Sequence, residues 1–142
     1  MTMLDHRGLL KEGTFPRFVS KENGCEHIGI NHGSHIRHYK VDGGIFPSGT
    51  KPRRCDFLLL NDTKKTAYYI ELKGSDIPTA IEQVDRSVAL LQSSHPKYTI
   101  YRRIIYRTGR SHEVNSQEVV RWKAKHGAKT IVITSRQHMD QL

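Results

Sequence analysis

Three charged residues at the ends of two apolar segments have the types and spacing that could bind a metal ion. Asp56 is the second residue of the segment CDFLLL (55–60). Glu71 and Lys73 lie at the end of the segment TAYYIELK (66–73). Side chains alternate between the faces of a strand, so Glu71 and Lys73 are expected on one face. Neighbouring carboxylates repel each other unless a positive charge lies between them. A hard cation such as Mg²⁺ would supply that charge.

The two segments are predicted to form a β-hairpin, because both are short, apolar and bounded by turn residues. The connecting loop NDTKKT pairs Leu60 with Ala67, which places Asp56 opposite Glu71. Lys73 then brings a positive charge to a developing phosphate oxyanion, or helps to deprotonate a water molecule. Such a group suits metal-assisted hydrolysis of a phosphodiester. An ordinary cross-strand charge pair on a solvated face is the alternative.

The segments around this hairpin predict an α/β sheet with helices packed on its faces. Apolar residues recur at spacings of four and three from Ile77 to Leu91, which predicts an amphipathic helix. A second helix is expected between Ser116 as its N-cap and Gly127 at its end. Strands are expected over 35–41, 55–60, 66–73 and 98–107, and in KTIVITS near the C-terminus.

Length and charge favour one basic domain with a polyanionic partner. The chain has 142 residues, a length typical of a single domain, and a formal net charge of +9. We expect an irregular N-terminal region over 1–34, core motifs over 35–107, and a C-terminal helix and strand over 108–142. The excess of positive charge makes nucleic acid the leading partner.

The sequence has no apolar stretch near the roughly 18 residues that a membrane span requires. Its N-terminus carries charges where a signal peptide is apolar. Cys25 and Cys55 are expected to be free thiols. These features predict a cytoplasmic protein that has no membrane partner.

The segments CDFLLL, YIELKG and AIEQV together resemble the core of the PD-(D/E)XK nuclease superfamily, which includes restriction endonucleases and Holliday junction resolvases. Cys55 stands where the name of the motif has proline. The resemblance implies a restriction endonuclease-like mixed central β-sheet flanked by helices. It also implies a DNA endonuclease that uses Mg²⁺ or Mn²⁺, with DNA favoured over RNA. A homodimer would provide two active sites for cutting both strands of a duplex.

The resemblance also implies roles for individual residues. Asp56 and Glu71 would be the metal-binding acids, and the main-chain carbonyl of Leu72 would be a further ligand. Lys73 would be the catalytic lysine. Gln83, on the helix after the lysine strand, stands where some members carry a catalytic glutamine.

Members of this superfamily often have a further glutamate on an N-terminal helix. Glu26 is the candidate for this metal ligand, and Glu22 and Glu12 stay open as alternatives. Gly24 and Gly29 argue against a long helix in this region.

The basic segment GTKPRR directly precedes Asp56. Its residues Lys51, Arg53 and Arg54 are predicted to bind the phosphates of nucleic acid near the metal end of the hairpin. A solvated basic loop without a ligand is the alternative.

Two other interpretations stay open. A nuclease-like fold without catalytic activity would bind nucleic acid or inhibit another protein, since the N-terminal acid is unassigned. Structural zinc is the other, although the spacing fits no C-x₂₋₄-C pair. The zinc candidates are Cys25, His27, His32, His35, His38 and Cys55.

Overall fold

Two β-sheets and two α-helices make up the part of the chain that is described. The computed structural model describes residue 4 and the ranges 6–50, 53–73, 76–108 and 116–142. The strands are β1 (Leu9–Gly13), β2 (Arg17–Glu22), β3 (Cys25–Ile30), β4 (Ile36–Lys40), β5 (Phe57–Asn61), β6 (Thr66–Lys73), β7 (Thr99–Tyr106), β8 (Ile131–Ser135) and β9 (Gln137–Gln141). The helices are α1 (Ile77–Leu91) and α2 (Gln117–His126).

The larger sheet has six strands in the order β1-β4-β5-β6-β7-β8. Its first three pairings are antiparallel, and β6-β7 and β7-β8 are parallel, so the sheet is mixed. The prediction of an α/β chain with a mixed central sheet is confirmed at this level. Every residue of β5 is buried, as are six of the eight residues of β6, because these strands are apolar on both faces.

The predicted register of the β5-β6 hairpin is confirmed. Leu60 pairs with Ala67, and Phe57 pairs with Ile70. One residue before β5, the backbone N–H of Asp56 donates to the Ile70 carbonyl at 3.1 Å. Asp56 therefore lies at the edge of the sheet where β6 ends.

Both helices pack on the same face of the six-stranded sheet, where Val84 of α1 and Trp122 of α2 join a core with Tyr69 of β6. The sheet was expected to have helices packed on its faces, and in the described ranges the helices cover one face. Each helix connects neighbouring parallel strands, and right-handed crossovers that advance in one direction leave their helices on one side. Neither helix of the described ranges has the length and apolar character needed to cross a membrane.

A second sheet covers the opposite face. It has three strands in the order β2-β3-β9, and Phe18 of β2 packs with Ile70 and Leu72 of β6. The prediction of an irregular region over 1–34 is therefore wrong, since β1, β2 and β3 all lie within it. Asn23 and Gly24 form the two-residue turn between β2 and β3, with φ of 52° and 73°. An Asn-Gly pair suits this kind of turn because both positions require positive φ.

A buried ion pair joins the two sheets. Arg103 of β7 donates to Asp140 of β9 from Nε at 2.8 Å and from a terminal nitrogen at 3.0 Å. His27 Nε2 lies 2.8 Å from the same carboxylate. Burial alone would raise the pKa of Asp140, but the hydrogen bonds from His27 and Arg103 outweigh it and hold the pKa far below its usual range.

Asp140→Asn is expected to destabilise the fold by about 3 kcal/mol, because it leaves the Arg103 guanidinium buried without its carboxylate. The stabilisation from Asp140 should be present above about pH 4 and decline as the pH falls further, since its pKa is lowered in the folded state. Urea unfolding of the wild type and the variant measures both effects. Glu82→Gln, at an exposed carboxylate on α1, is the control; equal losses in the two variants would contradict the expectation.

Candidate active site

Glu71 places a carboxylate inside the protein near the end of a central strand. The residue is only 2% exposed, although it lies near the end of β6. Its Oε1 atom is buried and has no hydrogen-bond partner among the described residues. Burial and the neighbouring charge of Asp56 raise the pKa of Glu71 well above its usual range, and Lys73 opposes them. An ordinary charge pair on a solvated face does not describe this residue.

Asp56 is fixed against the end of β6 by one of its oxygens. Its Oδ2 atom accepts a hydrogen bond from the backbone N–H of Leu72 at 2.9 Å. The Lys40 ammonium lies 3.9 Å from Oδ1. Burial raises the pKa of Asp56 to about 6, although the Leu72 N–H and Lys40 act in the opposite direction. Asp56 and Glu71 together make a pair of carboxyls that resists full ionisation.

Lys73 is held by the helix that covers the site. Its Nζ atom donates to Gln83 Oε1 at 3.2 Å, and Gln83 Nε2 donates to the Arg54 carbonyl at 3.2 Å. Gln83 is buried on α1, so the helix and the loop before β5 both position it. The structure therefore brings Asp56, Glu71, Lys73 and Gln83 together, as the sequence predicts.

The donor set at this site fits a hard divalent cation. Two carboxylates are present, each with a raised pKa, and one buried oxygen has no partner within the ranges that the structure describes. The Leu72 carbonyl already accepts a hydrogen bond from Asn23 Nδ2 at 2.8 Å, which leaves it one lone pair for an ion. Mg²⁺ typically uses one or two carboxylates and completes its shell with water and substrate oxygens.

Within the described ranges, no three His, Cys, Asp or Glu side chains come together as a metal-binding group. The proposed zinc ligands instead have separate partners. His27 contacts Asp140, His35 contacts Glu12, and His38 contacts Ser20. Any cation at the carboxylate pair would therefore have few ligands from the described part of the protein.

The structure places Glu26 away from the site. Glu26 lies opposite Lys21 in the β2-β3 hairpin, with its carboxylate 3.2 Å from the Lys21 ammonium and in contact with Gln137. Its selection as the upstream ligand is wrong for this geometric reason. Of the alternatives, Glu12 pairs with His35 at 2.7 Å on β1.

Glu22 is the upstream acid that approaches the site. Its Oε2 atom lies 2.6 Å from Lys40 Nζ, the same ammonium that faces Asp56. Glu22 and Asp56 thus share a cation. The β2-β3 turn brings Glu22 to this edge of the sheet, since it is the last residue of β2.

In the basic segment before Asp56, Arg54 holds the preceding loop and Arg53 lies at the site. Arg54 is 3% exposed and donates to Asp42, the Pro47 carbonyl and Thr50. Arg54 therefore fixes the preceding loop instead of facing phosphate, contrary to the prediction. Arg53 lines the cavity beside Asp56. Lys51 lies outside the described residues.

A cavity of about 630 Å³ opens over these residues, a volume suited to a substrate group. Asn23 lines it from the β2-β3 turn, and Ser48 and Thr50 line it from the loop that Arg54 fixes. Nothing in the sequence patterns around the β5-β6 hairpin singles out Asn23 or Lys40 as residues of the site. The Asn-Gly pair, a strong signal for a hairpin turn, was the available indication of Asn23.

Comparison with protein-family models, curated proteins and solved structures gives no match in any of the three.

Without divalent ions, the Asp56–Glu71 pair should contribute a loss of about 3 kcal/mol of stability as the pH rises from about 4 to about 8, against the gain from the buried imidazoles of His38 and His95, whose pKa values burial lowers to about 4. The unfolded carboxyls release their protons near pH 4, whereas the folded pair retains protons to higher pH, to about 6 for Asp56. Glu71→Gln removes the repulsion and should reduce this loss. Thermal unfolding across this pH range measures it, with Glu82→Gln as the control for removing a carboxylate. A pH dependence that is unchanged by Glu71→Gln would contradict the interpretation of the pair.

Proposed function

We propose that this protein is a metal-dependent nuclease that hydrolyses phosphodiester bonds in nucleic acid, with DNA as the substrate. The observation that carries the proposal is the buried oxygen of Glu71 beside Asp56, which has no hydrogen-bond partner in the described part of the chain. A protein gains nothing in stability from two carboxyls placed together in its interior. Such a pair is useful when a cation binds between them.

Asp56 and Glu71 are the residues that would hold Mg²⁺ or Mn²⁺. The ion, when bound, supplies positive charge to a phosphate and lowers the pKa of a coordinated water. The hydrogen bond from the Leu72 backbone N–H orients the Asp56 carboxylate. The pairing of β5 with β6 fixes the position of Asp56 relative to Glu71. These restraints keep the two carboxyls in place before substrate arrives.

Lys73 supplies the positive charge that the pair itself lacks. Gln83 accepts a hydrogen bond from its ammonium and is itself anchored to the Arg54 carbonyl. This support keeps the Lys73 ammonium at the cavity, where it would stabilise charge that develops on a phosphate oxygen. Gln83 acts through Lys73 and is therefore a positioning residue.

The surroundings of the site favour a polyanionic substrate. The chain has a net charge of +9, and Arg53 lines the same cavity as Lys73. The order of hairpin, helix and parallel strand from β5 to β7 is consistent with a restriction endonuclease-like fold. A cytoplasmic location and a homodimer that cuts both strands of a duplex belong to the same proposal.

Wild-type protein is expected to cleave duplex DNA in the presence of Mg²⁺ or Mn²⁺, and chelation should abolish the activity. Asp56→Asn, Glu71→Gln and Lys73→Met should each lower the rate by roughly 10²-fold or more, because the first two remove a ligand of the cation and the third removes positive charge at the reacting phosphate. Plasmid and linear DNA, with RNA in parallel, provide the assay.

Glu82→Gln is the matched control, since it changes an exposed carboxylate on the same helix as Gln83. It should retain wild-type activity. Failure of the wild type to cleave any of these substrates, or full activity in the Asp56 and Glu71 variants, would remove the proposal.

A nuclease-like binding module without activity is the second candidate. It is favoured by the absence, within the described ranges, of a third acidic ligand beside Asp56 and Glu71. A binding module should retain full affinity for DNA when Asp56 is replaced by Asn and show no effect of Mg²⁺. Cleavage that requires both Asp56 and Mg²⁺ would exclude a binding module without activity.

A further inference from the structure

A second surface cavity, of about 560 Å³, adjoins the candidate active site. Asn23 lines both cavities, so the β2-β3 turn forms the ridge between them. Gly24, Cys25 and Arg136 line the second cavity. A ligand that extends from the first cavity across this turn would enter the second.

The second cavity lies along the same edge of the large sheet as Lys73. Lys73 pairs with Tyr106 of β7, and Tyr106 pairs with Ser135 of β8. Arg107 and Arg136 are the next residues after these two strands. Neighbouring strands lie about 4.8 Å apart, so the backbone of Arg136 is roughly 10 Å from that of Lys73.

Main-chain hydrogen bonds fix both arginines at this edge. The Arg107 N–H donates to the Lys73 carbonyl at 3.0 Å, and the Arg136 N–H donates to the Tyr106 carbonyl at 2.7 Å. The Arg107 side chain crosses the turn at Gly24, where a Cβ atom would lie 3.0 Å from its Cδ. The absence of a side chain at residue 24 therefore makes room for Arg107.

The positive charges at this edge exceed the negative ones. The two acids of the second cavity already have cations, since Glu26 pairs with Lys21 at 3.2 Å and Glu22 pairs with Lys40 at 2.6 Å. In the described ranges, neither the Arg107 nor the Arg136 guanidinium has an ion pair. Burial raises the pKa of the Cys25 thiol between them, and their positive charges oppose that increase.

Arg136 occupies its position in an unfavourable backbone conformation. Its φ is 65°, in the left-handed region that glycine or asparagine adopts at lower cost. The chain passes through this single residue from β8 to β9, and the side chain is exposed. The conformation fixes the point at which this exposed cation leaves the chain beside the second cavity.

We propose that Arg136 and Arg107 bind the backbone phosphates of the nucleic acid that the active site cleaves, on the side of the scissile bond that crosses the Asn23-Gly24 turn. The inference rests on the proposed function and extends it by locating the path of the substrate. The roughly 10 Å between the backbones of Arg136 and Lys73 places such a phosphate close, along the same strand, to the phosphate at Lys73.

Arg136→Gly tests this proposal without endangering the fold, because glycine adopts the observed φ without strain. The variant is made in the Glu71→Gln background, so that the labelled duplex used as the probe is not cut. Fluorescence anisotropy at several salt concentrations is expected to show binding weaker by about tenfold. The slope of log affinity against log salt should become less steep by about one unit, which corresponds to the loss of one phosphate contact.

Lys97→Gly is the matched control. Lys97 is also an exposed cation with positive φ, at 71°, but it precedes β7 and so lies at the opposite end of that strand from Arg107. Lys97→Gly removes one positive charge and adds backbone freedom at a residue with positive φ, as Arg136→Gly does. Its salt slope should equal that of the parent, and thermal unfolding should show both variants to be folded.

Equal affinities and salt slopes for Arg136→Gly and Lys97→Gly would overturn the proposed path, even if the parent binds the duplex and the chain with Glu71 cleaves it. Absence of both binding and cleavage in the parent and wild type would overturn the proposed function itself. Arg107→Gln, which keeps the aliphatic stem over Gly24, is expected to weaken binding in the same way as Arg136→Gly.

Discussion

Repulsion between the carboxyls of Asp56 and Glu71 is the constraint on which the site depends. Both lie at one edge of the six-stranded sheet, and Glu71 is buried with an oxygen that has no partner among the described residues. Ionising both carboxyls in that environment is unfavourable, as their raised pKa values indicate. The surrounding structure holds the two carboxyls together despite this cost. It does so through the hydrogen bond from the Leu72 N–H to Asp56 and through the backbone pairing of β5 with β6.

The connections of the chain determine what surrounds this pair. Two crossovers in one direction place α1 and α2 on one face, which brings Gln83 over Lys73. The other face of the apolar strands β5 and β6 is then covered by the three-stranded sheet. The turn of that sheet delivers Asn23 to the Leu72 carbonyl, so residues far apart in sequence meet at one cavity.

The elements with strong local patterns could be predicted from the sequence alone. The apolar segments of β5 and β6 and their short loop predicted the register and the grouping of Asp56, Glu71 and Lys73, and the resemblance to the nuclease superfamily added Gln83. The N-terminal strands were missed because they bury polar side chains such as His27, whose partner Asp140 lies near the other end of the chain. Arg54 was misassigned for a similar reason, since its burial depends on a loop that only the folded chain defines.

Calorimetric titration of the metal-free protein with Mn²⁺ near pH 6 tests the central claim most directly. The account predicts one saturable site per chain and a release of protons on binding, because the raised pKa values of Asp56 and Glu71 must fall when the ion binds. Buffers with different ionisation enthalpies report the released protons, and Glu71→Gln should lose the site. The absence of saturable binding, or binding that Glu71→Gln leaves unchanged, would contradict the account.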